Sequence, residues 1–273
     1  MKSKVLFFDV DGTLANFDAT IPDSAFEALQ QAKENGHRLL LSTGRSFGQL
    51  HKELFCLPLD GYVCAAGAYV QYHGKVIETN FMPEDKLDQI FRLIREEKLL
   101  YALQCVDHLA TEKQVYEPLL RLMRERNQLN EKQLASVFPD MELVDSKEQF
   151  SHVEKVLFYD GRLSVQDVRD RLGDGFDVVD MSFLKDKRSS GEITQAGINK
   201  AYGMAKVLEY LGMTREDAIA FGDGENDVDM IQYAGTGVAM GNAVAVLKEK
   251  ADMVTDPIYR DGIRNALKRL QII

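Results

Sequence analysis

With 273 residues the chain has room for one large domain or two smaller ones, and for a substantial core without disulfide or metal staples. Hydrophobic residues make up 45% and charged residues 28%, as in an ordinary globular protein. The formal net charge of -10 excludes a broad basic surface for nucleic acid or anionic membranes, so an anionic substrate would have to be attracted locally.

The three cysteines, Cys56, Cys64 and Cys105, lack paired spacing and fit a reducing compartment better than a disulfide frame or zinc site. No secretory leader or membrane-spanning run is read, so a cytoplasmic location is expected. No protein partner is indicated.

Val5-Leu6-Phe7-Phe8 has the character of a buried strand of a parallel sheet. Asp9 and Asp11 follow it, and Gly12 and Thr13 allow a sharp turn with exposed N–H groups. A helix is expected next, capped by Asp23 or Ser24, with Glu27 completing a capping box, Phe26, Leu29 and Ala32 facing inward and Gly36 at its end. Residues 38–41 read as a second buried strand ending in Ser42-Thr43-Gly44-Arg45, with a helix over about 46–54. A third strand is expected at 62–65. A hairpin follows, its strands 68–72 and 76–78 flanking His73-Gly74-Lys75.

The middle of the chain changes character. Pro83 opens a helix with Leu87, Ile90, Phe91 and Ile94 on one face. A strand at 101–106, a charged helix over 115–134, a strand at 156–159, a helix at 164–172 and a strand at 176–179 follow. The run of Arg121, Arg124, Glu125 and Arg126 reads as a solvated helix face. Residues 82–189 therefore form an inserted α/β cap, and polar 185–191 its return linker, which divides the chain into 1–81, 82–189 and 190–273.

The first rhythm then resumes. A helix begins at Asn199 or Lys200, carries Met204, Val207, Leu208 and Leu211 inward and closes at Gly212. A fourth strand at 218–221 ends in Gly222-Asp223-Gly224-Glu225-Asn226-Asp227. A fifth at 238–240 precedes a helix over 242–250. The predicted fold is α/β: a doubly wound, mainly parallel sheet carrying an inserted α/β cap.

Parallel strands present their carboxyl ends along one edge, so these clusters are expected to converge. Asp9, Asp11 and Asp223 offer oxygen ligands for Mg2+, and a cation there lets the Asp9 carboxylate attack an anionic phosphoryl group. Asp11 serves as proton donor to the leaving alcohol and then as base toward water. Thr43, the neighbouring backbone N–H groups, Gly44 included, and Lys200 hold the phosphoryl oxygens. Asp227 orients Lys200 or a metal-bound water. The five histidines, His37, His51, His73, His108 and His152, lack metal spacing and receive no role.

Taken together these motifs resemble the haloacid dehalogenase-like (HAD) hydrolases, most closely their Cof-type, or IIB, phosphatases, which carry a large α/β cap. The resemblance is carried by DVDGTL at 9–14, STGR at 42–45, EITQAGINK at 192–200, AFGDGENDVDM at 220–230 and VAMGNAVAVLKEKADMV at 238–254. It implies a Rossmann-like core, Asp9 as nucleophile, Asp11 as general acid/base, Thr43 and Lys200 as phosphate holders and Asp223 as a metal ligand. Asn226 becomes a phosphate or substrate contact, and the backbone carbonyl of Asp11 a further metal contact. Two departures stand out: Ala66-Gly67-Ala68 where many relatives have Asn-Gly-Ala, and Ser42, a second candidate hydroxyl beside Thr43, where relatives often have Ala.

The expected activity is Mg2+-dependent hydrolysis of small phosphomonoesters, such as sugar phosphates or phosphorylated cofactors, through an aspartyl-phosphate. Asp11 favours this over dehalogenation, because a halide leaving group needs no proton. A phosphomutase needs the same nucleophile and acid and stands as an alternative, as does a non-catalytic phosphometabolite-binding protein.

Overall fold

The computed structural model describes residues 3–16, 20–128, 134, 138, 141–159, 163–181 and 190–273. They fall into two compact units, Met1–Thr79 with Asn199–Ile273, and Asn80–Ile198. The strands in chain order are β1 (Val5–Phe8), β2 (Arg38–Ser42), β3 (Gly61–Cys64), β4 (Tyr69–Tyr72) and β5 (Lys75–Thr79). Next come β6 (Leu100–Cys105), β7 (Leu109–Glu112), β8 (Glu142–Val144), β9 (Val153–Tyr159), β10 (Phe176–Asp180) and β11 (Gly191–Gln195). The last three are β12 (Ala218–Gly222), β13 (Thr236–Ala239) and β14 (Met253–Val254).

The first unit is built on an eight-stranded sheet in the order β14-β13-β12-β1-β2-β3-β4-β5. Pairing is parallel from β14 through β3 and antiparallel at β4 and β5, which is the mainly parallel α/β architecture read from the apolar runs. Those runs are buried because central parallel strands are covered on both faces; all four residues of β1 are fully inaccessible. From β1 the chain winds one way to β2 and β3, and from β12 the other way to β13 and β14. The reversal falls between the neighbours β1 and β12, where Phe8 and Phe221 stack with ring centroids 4.7 Å apart. Sheets of this kind bind ligands beyond the carboxyl ends of the strands at such a point.

Local chemistry departs from expectation at three places in this unit. The first helix runs Asp23–Glu34 behind Pro22, whose extended backbone starts it early. Ser24 thus lies within the first turn, its Oγ has no hydrogen-bond partner, and the capping box with Glu27 does not form. In place of a helix at 46–54 there are two 3₁₀ turns, Phe47–Gln49 and Lys52–Cys56, separated by extended Leu50 and His51. The Gln49 Oε1 accepts from both the backbone and the hydroxyl of Ser46, a local bond that competes with helical pairing. The helix expected from 242 runs only Ala245–Lys250, because Val244 is extended and the Asn242 side chain is used elsewhere.

The second unit has a six-stranded sheet, β10-β11-β9-β6-β7-β8. The helices Glu84–Glu97 and Val165–Leu172 cover the face carrying Val156, Phe158 and Ile193. Leu119 and Met123 of the helix Lys113–Asn127 pack with Ala102, Leu157 and Tyr159 in a second cluster. The expected span 82–189 is extended to Ile198 because Gly191–Gln195 is a strand paired with β9 and β10. Most of the linker read at 185–191, and the last part of the helix read at 115–134, lie outside the described residues. At a register shift between β6 and β9 the Glu154 carboxyl is buried and neither oxygen accepts a hydrogen bond.

Candidate active site

Asp9 is the first residue beyond β1, buried, its N–H donating to the Phe221 carbonyl at 3.0 Å. This bond continues the β1–β12 ladder by one residue and fixes where the carboxylate emerges. Gly12 follows with φ +88, and a Cβ there would fall 2.3 Å from Asp223 Oδ2. Only glycine meets both demands: left-handed backbone and room for the carboxylate beyond β12. The Thr13 hydroxyl donates to Asp223 Oδ1 at 3.0 Å, and the Asn242 amide donates to the Gly12 carbonyl at 2.8 Å.

Lys200 opens the helix Lys200–Leu211, whose N-cap Asn199 accepts from the Tyr202 N–H at 2.9 Å. A cation is disfavoured at a helix N-terminus and costly inside a protein. Lys200, 1% exposed, is compensated by two carboxylates: Nζ donates to Asp9 Oδ1 at 2.6 Å and to Asp227 Oδ1 at 2.5 Å. The other oxygen of Asp227 accepts from the N–H groups of Asp223 at 2.9 Å and Gly224 at 3.0 Å. Asp227 thereby joins the lysine to the loop that carries Asp223. The helix reaches this depth because Gly203 and Gly67 let backbones touch. A Cβ on Gly203 would lie 2.3 Å from Val63 Cγ1, and one on Gly67 would lie 2.2 Å from the Asn199 carbonyl.

Oxygens of Asp9, Asp223 and Asp227 lie within 4.8 Å of one another. Three acids around one ammonium leave an excess of negative charge, and the acids respond. Burial, then Asp227, pushes Asp9 up to about 8 against the pull of Lys200. Burial and Asp227 push Asp223 up to about 6. Burial alone would lower Lys200, but Asp227 and Asp9 outweigh it and raise it. This donor set fits a hard divalent cation, which takes carboxylate oxygens and supplies the missing positive charge. Asp227 already accepts from Lys200 and two backbone donors, which leaves Asp9 and Asp223 the better-placed ligands.

The Asp11 carboxylate stands apart from that cluster. Arg45 Nε donates to Asp11 Oδ2 and Arg45 Nη2 to Asp11 Oδ1, each at 2.9 Å. Of the Asp11 atoms, the backbone carbonyl is therefore the better candidate for a metal contact. Thr43, at the end of β2, is 2% exposed and accepts at Oγ1 from the Arg45 N–H at 3.2 Å, which leaves its own proton free to donate. Ser42 Oγ is fully buried without a partner. Gly44 lies in the same turn. The loop after β3 backs this segment: the Ala66 and Ala65 N–H groups donate to the carbonyls of Thr43 and Arg45 at 2.9 and 2.7 Å. Ala66 itself is left-handed, with φ 54 and ψ 33.

Asp9, Asp223, Asp227 and Lys200 thus meet, Thr43 and Asp11 are linked through Arg45, and Asn226 lies exposed in the turn Glu225–Asp227. Sequence reasoning passed over Arg45, His51 and Asn242. His51, given no role, has its Nε2 3.1 Å from Arg45 Nη1. The only available signal was a cation two residues beyond Thr43.

A family model described as haloacid dehalogenase-like hydrolase matches residues 6–267. The chain is 31% identical to a putative phosphatase, YkrA, of Bacillus subtilis over all of both chains. It is 31% identical to the pyridoxal phosphate phosphatase YbhA of Escherichia coli, over 96% of this chain and 97% of that one. Among solved structures, that of the HAD subclass IIB sugar phosphatase BT4131 superposes with a TM-score of 0.79 at 26% identity, covering 99% of this chain and 100% of that one.

Proposed function

Because the chain belongs to the haloacid dehalogenase-like hydrolases and is a phosphoric monoester hydrolase of their subclass IIB, we propose that it cleaves small phosphorylated metabolites with Mg2+ through an aspartyl-phosphate on Asp9. The observation that carries this reading is the hydrogen bond from buried Lys200 to Asp9 within an acidic cluster short of positive charge. The relatives act, by name, on pyridoxal phosphate and on sugar phosphates, which supports a small phosphomonoester as substrate. The inserted unit is the part that would choose among such substrates. Cys56, Cys64 and Cys105 as thiols, not disulfides, accord with a cytoplasmic location.

Asp9 and Asp223 would hold the cation, with the Asp11 carbonyl. When bound, the cation shields Asp9 from the substrate's charge and polarises a phosphoryl oxygen. Asp9 attacks phosphorus, the bond to the ester oxygen breaks, and its electron pair leaves with the alcohol, which takes a proton from Asp11. Asp11 then removes a proton from water, whose oxygen attacks phosphorus and releases phosphate and the Asp9 carboxylate. The Thr43 hydroxyl and the Lys200 ammonium hold the non-bridging oxygens throughout.

The test is phosphate release across a panel of phosphorylated metabolites, with Mg2+ and with a chelator. Metal-dependent turnover with acid-stable label on the parent but not on an Asp9→Asn variant is the expected result. Chelator-insensitive turnover, or labelling of both proteins, would remove the reading.

A further inference from the structure

Arg45 uses three of its five N–H donors on two side chains. The fork on Asp11 is bidentate, and the third bond runs from Nη1 to His51 Nε2 at 3.1 Å. A guanidinium can only donate, so His51 accepts through Nε2 and carries its ring proton on Nδ1. The Arg45 backbone is fixed as well, its N–H on Thr43 Oγ1 and its carbonyl receiving the Ala65 N–H. His51 sits in the extended residue between the two 3₁₀ turns, the place where the expected helix is interrupted. A regular helix from 46 would carry residue 51 along a different path.

Resting on the reading of Asp11 as proton donor and acceptor, we propose that Arg45 is the positioning residue of the proton-transfer step and that His51 holds Arg45 in place. The Asp11 side chain is about one-third exposed, and no described hydrogen bond other than the Arg45 fork orients its carboxyl group. A freely rotating acid would meet the leaving oxygen only part of the time. The fork fixes the plane of the carboxyl group, because two parallel N–H···O bonds define a plane where one bond does not. His51 acts from the far side of the guanidinium, one bond further from the chemistry.

The competing reading is that Arg45 simply binds substrate, and the two differ in kinetics. The experiment uses the full chain with Mg2+ and a series of aryl phosphates from 2,4-dinitrophenyl to phenyl phosphate. Arg45→Lys keeps the charge and loses the fork; it should slow the single-turnover release of phenol from phenyl phosphate about 10- to 100-fold, leave that of dinitrophenol within about threefold, and hardly change KM. His51→Ala should shift the same way by about threefold to tenfold, and His51→Gln, which keeps an acceptor, should recover most of the loss. Combining Arg45→Lys with Asp11→Asn should cost little beyond Asp11→Asn alone.

A raised KM with equal losses in single-turnover alcohol release on all leaving groups would overturn the proposal, as would additive losses in the double variant. So would identical behaviour of His51→Ala and His51→Gln. If Asp11→Asn itself shows no dependence on the leaving group, the proton-transfer role of Asp11 falls and this inference with it, an outcome read from that variant alone.

Discussion

Lys200 and Asp227 form an ion pair closed off from solvent, Nζ to Oδ1 at 2.5 Å, and the same Asp227 carboxylate takes the N–H groups of the loop carrying Asp223. The pair is a structural hinge-pin for the site as much as an electrostatic one. Replacing Asp227 by Ala removes a counter-ion from a buried lysine and leaves two loop N–H groups without their acceptor. Breaking a buried pair on one side costs about 3 kcal/mol or more, so Asp227→Ala should show that loss in urea unfolding together with a large fall in turnover. Parent-like stability would mean that Lys200 is balanced by Asp9 alone.

Asp9→Asn removes the carboxylate proposed to attack phosphorus while preserving volume, and it relieves a cluster whose acids are already driven upward by burial and mutual repulsion. Turnover should fall at least about a thousandfold, with a metal-free melting temperature equal to or above the parent's. Retained turnover in this variant would take Asp9 out of the attacking role.

Excess negative charge at Asp9, Asp223 and Asp227 would make a divalent cation bound there stabilising. Titrating Mg2+ into metal-free protein should raise the melting temperature, by an amount equivalent to about 2.7 kcal/mol at a hundredfold excess over Kd. Asp223→Asn should abolish most of that rise. An undiminished rise in the variant would place the cation elsewhere.

In the second unit, burial raises Glu154 from its ordinary 4.5 up to about 8, with Lys155 opposing and Asp107 adding to the shift. The folded chain keeps that proton where the unfolded chain has lost it, so stability falls as pH rises from about 4.5 to about 8. Glu154→Gln should flatten this part of the pH–stability curve and raise stability at pH 8 by on the order of a few kcal/mol. A curve of unchanged slope in thermal melts from pH 5 to 8 would show that the carboxyl is solvated.

Ala66 holds φ 54 and ψ 33, a conformation that costs an alanine about 1 kcal/mol or more and an asparagine less. Ala66→Asn should therefore stabilise the chain by about 0.5–1 kcal/mol in urea unfolding. A loss of stability would mean that the larger side chain clashes in this loop.

How far the chain could be read in advance follows from where the information lies. The central strands are continuous apolar runs, and the catalytic candidates are polar residues at their ends, so both are local signals in sequence. Strands β7, β8 and β11 carry half-polar sequences, LATE, ELV and GEITQ, and are strands because of what they pair with. The helix expected at 46–54 lost to a bond between Ser46 and Gln49 that any propensity argument undervalues. The Arg45–His51 contact depends on that same interruption, and so was invisible for the same reason. Asn242 reaches Gly12 across 230 residues of chain, a distance at which no periodicity speaks.

The reversal of winding between β1 and β12 sets a timetable for the growing polypeptide. Asp9 leaves the ribosome early, but its partner Lys200 is 191 residues downstream and the loop holding Asp223 and Asp227 is later still. A nascent chain halted before that loop therefore has no assembled reaction centre, however well its first strands have collapsed. Release of phosphate would in this protein be a late marker of folding, switched on only once β12 has paired with β1.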